Sequence, residues 1–279
     1  MIKTPLSTVI GGAFWTPGCT VIDGNTPTFD QQILKLFNGE QGFFYDPNDL
    51  STLYQDAAKT IPVTTAGQPV GLMLDKSGRN NHAFQTVSAS RPVLQRNATT
   101  GAYYLAFDGV DDFLQADSID FTATDKVSLF AGVRRLSDAG VSTIAEFSAN
   151  SVLNTNSFYL VALSNSALQF NSRGSGNSAT TSSQRFPAPA PVVISSVGDI
   201  SGKVSKIRAN SGGYAVNVGD QGTGNYGNYP LYIGRRGGAA LQFNGHIYGL
   251  IGIGKLVSGN EIVNIEKELA KRVGVTLNV

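Results

Sequence analysis

The sequence predicts an all-β protein, a two-sheet antiparallel β-sandwich with short N-terminal helices and one C-terminal helix. Three observations lead there. From residue 100 onward, short apolar runs recur every ~8–15 residues, separated by turn residues, which is the rhythm of a sandwich or barrel. Gly makes up 32 of 279 residues, above the usual ~7%, and charged residues are only 15%, below the usual ~25%. No long helical pattern lies between the runs, so βαβ units and a parallel sheet are not expected.

The elements follow in chain order. Residues 1–28 hold three Pro, four Gly and the single Trp without sustained periodicity, and read as an extended arm. The arm is rich in apolar side chains for a free tail, among them Ile10, Phe14, Trp15, Val21 and Ile22. It is therefore expected to dock, with Phe14, Trp15, Val21 and Ile22 as the candidate attachment residues. Residues 30–37 predict a short helix with Ile33, Leu34 and Phe37 on one face. The capping residues after Pro47 predict a single helical turn within 48–54. Strands are predicted at 103–107, 127–133, 141–147, 158–163, 167–170, 192–197, 204–207, 214–218, 231–233 and 243–253. The Ser/Thr/Asn/Gly-rich stretch 171–190 reads as a long loop. Near the end, Ser258 and Glu261 form a capping-box pattern. Ile262, Ile265, Leu269 and Val273 then make an apolar stripe, with Glu266, Lys267, Lys271 and Arg272 outside it and Gly274 as terminator. The division expected is an arm over residues 1–38 and a sandwich domain over 39–279.

Composition excludes several classes. A net charge of +1 does not suit a polyanion binder, so no nucleic-acid partner is expected. The longest apolar stretch, at 247–254, is far short of the ~20 residues of a membrane span. Pro5 and Gly11-Gly12 break any signal-peptide core. Cys19 is alone, so no disulfide framework is available, and it reads as a small packed residue.

Catalytic patterns are missing as well. Sandwich folds that cleave polysaccharides set two carboxylates on one strand face, and the E-x-D-x-x-E spacing does not occur. His82 and His246 are the only histidines, without zinc-ligand or nucleophile-elbow motifs. The segment Gly222-Thr223-Gly224-Asn225-Tyr226-Gly227 spells a dinucleotide fingerprint, but no helix follows to receive a pyrophosphate, so it reads as a turn. No enzyme is expected.

Two binding features remain. Asp108, Asp111 and Asp112 place three carboxylates within five residues, a set that either ligates calcium or shapes a turn around Gly109. Tyr226 and Tyr229 in the Gly/Asn-rich segment, with Tyr214, are candidates to stack on a sugar, against ordinary packing roles. Arg134-Arg135 and Arg235-Arg236 read as solvated strand cations.

A family likeness rests on Gly67-Gln68-Pro69-Val70-Gly71-Leu72, Asp75-Lys76-Ser77-Gly78-Arg79-Asn80-Asn81-His82-Ala83, Arg91-Pro92 and Phe107-Asp108-Gly109-Val110-Asp111-Asp112. It continues in Phe243-Asn244-Gly245-His246-Ile247-Tyr248-Gly249 and the closing helix. These residues resemble the laminin-G-like or concanavalin-A-like jelly-roll domains. The stretch from Gly39 to Asp56 is similar to the version found in virion proteins of tailed bacteriophages and prophages.

The resemblance implies a non-enzymatic virion structural protein associated with the tail, at the baseplate or a fibre. Its jelly roll would bind a glycan or another host-surface group. The alternatives are a capsid decoration or cementing subunit without ligand and, less favoured, a polysaccharide-cleaving enzyme. The partners implied are other virion proteins through the arm, a host surface glycan and further copies of the chain in a homo-oligomer. The implied place is the surface of the phage particle, after synthesis in the host cytoplasm. Calcium binds at loop ends in many such domains, but no ligand set transfers residue by residue.

Overall fold

A computed structural model describes residues 8–10, 13–15, 27–150, 154–238 and 240–277, the first two segments through their backbone only. Strands β1 (Thr8–Ile10) and β2 (Ala13–Trp15) pair with each other as a separate hairpin. Then come α1 (Phe29–Leu36), β3 (Gly42–Tyr45), a 3-10 turn at Leu50–Thr52, β4 (Leu53–Tyr54), β5 (Leu72–Met73) and β6 (Ala83–Phe84). The longer strands begin with β7 (Val93–Arg96), β8 (Tyr103–Asp108), β9 (Leu114–Asp120), β10 (Lys126–Arg135), β11 (Ser142–Phe147) and β12 (Ser157–Ala162). They continue with β13 (Ala167–Arg173), β14 (Ala179–Arg185), β15 (Pro191–Asp199), β16 (Val204–Ala209), β17 (Ala215–Asn217), β18 (Asn228–Ile233) and β19 (Asn244–Ile253). Helix α2 (Gly259–Val273) closes the described chain.

Among the described residues the strands from β3 onward form two antiparallel sheets stacked as a sandwich. The back sheet runs β17-β16-β15-β10-β19-β8-β7. One edge of β19 is shared: residues 244–247 pair with β8, and residues 250–253 pair with β3. The front sheet runs β14-β13-β12-β11-β18-β9-β6-β5-β4. Alternate residues of both sheets point inward and fill one core, where Phe147 stacks on Phe158 at 4.9 Å and Phe121 meets both rings edge-on.

The central strands of the back sheet, β15, β10 and β19, are buried on both faces. Its outer side is covered by α1 and α2 through Ile33, Leu36, Phe37, Ile265, Leu269 and Val273, packed on Phe44, Phe130, Tyr248 and Ile251. Double burial explains why β10 and β15 read as nearly continuous apolar runs. Gly132 and Gly249 face each other across the β10–β19 pair beneath the helix, and a Cβ on Gly249 would sit 3.0 Å from the Leu269 side chain. The glycines thus form the shallow groove that seats Leu269. Capping-box residues behave as the sequence predicts: Glu261 accepts the Ser258 N–H at 2.9 Å, and Gly274 turns left-handed at φ 80°.

Several expectations need correction. Residues 171–190 are not a long loop: β13 runs to Arg173, and β14 adds an edge strand made largely of hydroxyl residues. Ala179 and Thr181 turn inward, and Thr181 Oγ1 donates to the Ser205 carbonyl at 3.0 Å, so a polar strand packs without an apolar signature. Glu266 and Arg272, expected outside the α2 stripe, are buried because each has a partner. Glu266 receives two hydrogen bonds from Arg208, at 2.7 and 2.8 Å, and Arg272 grips Asp46 at 2.7 and 3.1 Å. Arg135 is also buried, 2.8 Å from Asp138, and Arg236 lies 3.2 Å from the buried Glu146. Neither arginine pair is simply solvated. Residues 29–37, read as the end of the arm, pack instead as part of the body. Within the arm, Phe14 and Trp15 lie on β2, whereas Cys19, Val21 and Ile22 fall outside the described residues.

Candidate functional site

Among the described residues no helix covers the outer face of the front sheet, and a cleft of about 440 Å³ lies at its β9-β6-β5-β4 end. Strand alternation makes the floor. Met73, Ala83, Leu114 and Ala116 point into the core, so Leu72 and Phe84 face outward with Leu74 beside them. The rim is polar: Asp117 and Ser118 from β9, Asn80, Asn81 and His82 from the β5–β6 loop, and Ala57 with Lys59 from the turn after β4. Its volume is in the range of small-ligand sites, ~300–1,000 Å³.

The β5–β6 loop is held by one buried carboxylate. Asp75 Oδ1 accepts the N–H groups of Phe44, at 2.8 Å, and Ser77, at 2.9 Å. Its Oδ2 accepts the Ser77 hydroxyl at 2.6 Å and the Asn81 N–H at 3.0 Å. The Asn81 amide donates back to Gln41 and Gly42, and Tyr45 donates its hydroxyl to the Asn81 carbonyl. Gly78 and Asn80 supply the left-handed backbone that the bend requires, at φ 82° and 61°. Ser77, Gly78, Asn80 and Asn81 therefore each have a local structural reason.

His82 is oriented by the same loop. Its Nδ1 accepts the Asp75 N–H at 3.0 Å, which leaves the proton on Nε2. Burial lowers the imidazole pKa; the Asp75 charge opposes this and the Lys59 charge adds to it. The ring is thus a neutral donor at pH 7. Lys59 sits at φ 62° in a turn closed by Asp56, which accepts the Thr60 N–H at 2.8 Å. Its ammonium stands 5.5 Å over the Tyr54 ring.

The tyrosines singled out from the sequence do not share a platform. Tyr226 is buried: its ring meets Phe158 edge-on and its hydroxyl bonds Ser172 at 2.7 Å, so it has no face to give a sugar. Tyr229 is half-buried, with its ring 5.6 Å from Phe147. Tyr214 lines a separate hollow of about 300 Å³ with Phe186 and Gln184, and Lys206 and Arg208 lie over its ring at 4.6 and 4.7 Å.

Asp108, Asp111 and Asp112 do converge, each with a carboxylate oxygen within 4.8 Å of the others. Their bonds are those of a turn. Asp108 Oδ1 accepts the Val110 N–H at 2.7 Å, Asp112 Oδ2 accepts the Asp108 N–H at 3.0 Å, and Asp111 accepts the Ser90 hydroxyl at 2.8 Å. Burial, then the charges of Asp108 and Asp111, push the Asp112 pKa up to about 6. Gly109 stands at φ 78°, pressed against Asn244. These hydrogen bonds account for the cluster without an ion.

The cleft residues Lys59, Asn80, His82, Phe84 and Asp117 were not among the site residues expected. Only Asn80 and His82 had a visible signal, the Ser77–His82 stretch that carries part of the family likeness.

The sequence matches no protein-family model and no curated protein. Solved structures do resemble the fold. The botulinum neurotoxin serotype D/C VPI 5993 binding domain superposes with a TM-score of 0.56 at 12% identity, over 84% of this chain and 53% of that one. A botulinum neurotoxin type C structure gives 0.54 at 13% identity, over 85% of this chain and 52% of that one. An arabinofuranosidase complexed with arabinofuranosyl-alpha-1,2-xylobiose gives 0.50 at 11% identity, over 73% of this chain and 51% of that one. The chain spans about half the length of each. At these identities the likeness is one of fold, a jelly-roll β-sandwich.

Proposed function

We propose that the chain is a non-enzymatic binding module that holds a glycan in the cleft between Lys59 and Asp117. The observation that carries this reading is the make-up of that cleft: an apolar floor with one aromatic ring, Phe84, under a rim of amide, imidazole, ammonium, carboxylate and hydroxyl groups. A sugar presents the matching surfaces, C–H faces for the ring and hydroxyls for the rim. Asp117 is the one carboxylate on the lining, whereas glycoside hydrolysis ordinarily takes two. Related folds offer support by analogy, since the type C neurotoxin depends for its way into cells upon interaction with two ganglioside molecules.

The test is titration of oligosaccharides against the protein and two variants, Phe84→Ala and Asp117→Ala. Binding should be lost in the first and weakened in the second, with no release of reducing ends. Unchanged binding in both variants sinks the assignment to this cleft, and measurable hydrolysis sinks the non-enzymatic reading.

On the sequence resemblance we place this module on the surface of a phage particle, on its tail, joined to other virion proteins through the residues ahead of α1 and present in several copies. The separate β1–β2 hairpin, which belongs to neither main sheet, supports that division. Removal of residues 1–26 should abolish incorporation into particles and leave glycan binding intact. Incorporation without any glycan binding would instead favour a decoration or cementing subunit.

A further inference from the structure

The strand order β9-β6-β5-β4 makes the cleft electrically lopsided. Asp117 rises from β9 on one flank, Phe84 and Leu72 form the middle, and Lys59 follows β4 on the other flank. With neighbouring strands ~4.8 Å apart, the backbones of β9 and β4 lie about three strand spacings apart, with the two charged residues coming from the two ends of that order. Among the described residues, no carboxylate lies within ion-pairing distance of Lys59, and no cation within that distance of Asp117. His82, immediately ahead of β6, the strand next to β9, stands between the flanks, close enough for the Lys59 charge to act on its ring. It is a second donor, because its Nδ1 is occupied by the Asp75 N–H and its proton is on Nε2. The cleft thus offers a cation on one flank, an N–H donor between the flanks and an acceptor on the other.

Resting on the glycan reading, we propose that the ligand is an acidic sugar, a carboxylate-bearing uronic or sialic residue within an oligosaccharide. Its carboxylate meets the Lys59 ammonium and the His82 Nε2–H, its ring lies on Phe84, and its hydroxyls donate to Asp117. A charge-assisted hydrogen bond is the stronger kind, and both flanks can supply one to such a ligand. A neutral sugar would offer Lys59 and His82 hydroxyl acceptors without the opposite charge, the weaker kind of bond.

The experiment is calorimetric titration of the full chain with trigalacturonate, with sialyllactose and with the carboxyl-reduced, neutral form of trigalacturonate, each in low and high salt. The variant is Lys59→Gly, which suits the left-handed backbone at φ 62° and so keeps the turn. At least one acidic oligomer should bind about ten-fold tighter than the neutral one at low salt, with the gap closing in high salt and in Lys59→Gly. Neutral binding equal to acidic binding, unmoved by Lys59→Gly, overturns the proposal and leaves the glycan reading standing. Failure of all three oligomers to bind overturns both.

Discussion

The Nδ1 of His82 accepts the backbone N–H of Asp75 at 3.0 Å, while the Asp75 carboxylate accepts the N–H of Asn81, the residue just before that histidine. The two residues close a small ring of bonds, so the imidazole cannot turn without loosening the loop that carries it.

Asp75→Asn tests this directly. The amide nitrogen would face donors where a carboxylate oxygen now accepts, leaving buried N–H or hydroxyl groups of Phe44, Ser77 or Asn81 unpaired. The expected loss is about 2–4 kcal/mol in a denaturant titration, with loss of ligand binding at temperatures where the variant is still folded.

Glu266→Ala should be costly despite its place on a helix of mixed polarity. It strands Arg208 and removes the acceptor for the Ser195 and Ser211 hydroxyls, both now bonded at 2.6 Å. A loss of about 3–5 kcal/mol is expected, read as a lowered urea midpoint. A change within error would mean that solvent reaches Arg208 and replaces the partner.

Tyr226→Phe separates packing from recognition. The substitution deletes the hydroxyl that Ser172 contacts and keeps the ring against Phe158. Stability should fall by about 1 kcal/mol, with oligosaccharide affinity unchanged. A fall in affinity at constant stability would return this tyrosine to the binding site.

The Asp108–Asp112 turn carries a pH signature. Its Asp112 pKa stands at about 6 in the folded chain, above the ordinary ~3.9 of the unfolded one. The folded state therefore binds more protons between those values, and stability from this group falls as pH rises from about 4 to 6 and stays low above. Asp112→Asn should be more stable than the parent by about 1–2 kcal/mol at pH 7, with the difference gone below pH 4. Millimolar calcium should leave the thermal midpoint of the parent unchanged. A clear rise that Asp112→Asn abolishes would make the turn a cation site.

The long strands and α2 were legible in the sequence because their signals are local. β10, β15 and β19 each hold seven consecutive buried residues, most of them apolar, and α2 carries its cap, stripe and terminal glycine within one stretch. The short strands β3 to β6 span two to four residues each, too few for a period to show, and they exist through pairing with distant partners. β14 was hidden by its hydroxyls, whose partners on β16 lie more than twenty residues away. The cleft was unreadable for the same reason. Lys59, His82 and Asp117 come from three segments that meet only because β9, β6, β5 and β4 are neighbours. Charge pairs failed likewise: Arg272 and Asp46 are 226 residues apart.

The loop from Asp75 to His82 crosses the thickness of the sandwich. At its start Lys76 bonds Asp30 on α1 at 2.6 Å, Arg79 bonds the Phe37 carbonyl, and at its end Asn80 and His82 border the cleft. It therefore works as a strut. Tension applied to the chain ahead of Thr28 has a direct route through α1, Lys76 and Arg79 to the histidine on the opposite face, a route that bypasses the core. A ligand held at that face and a tether pulling at the N-terminal end would load the same eight residues from both sides.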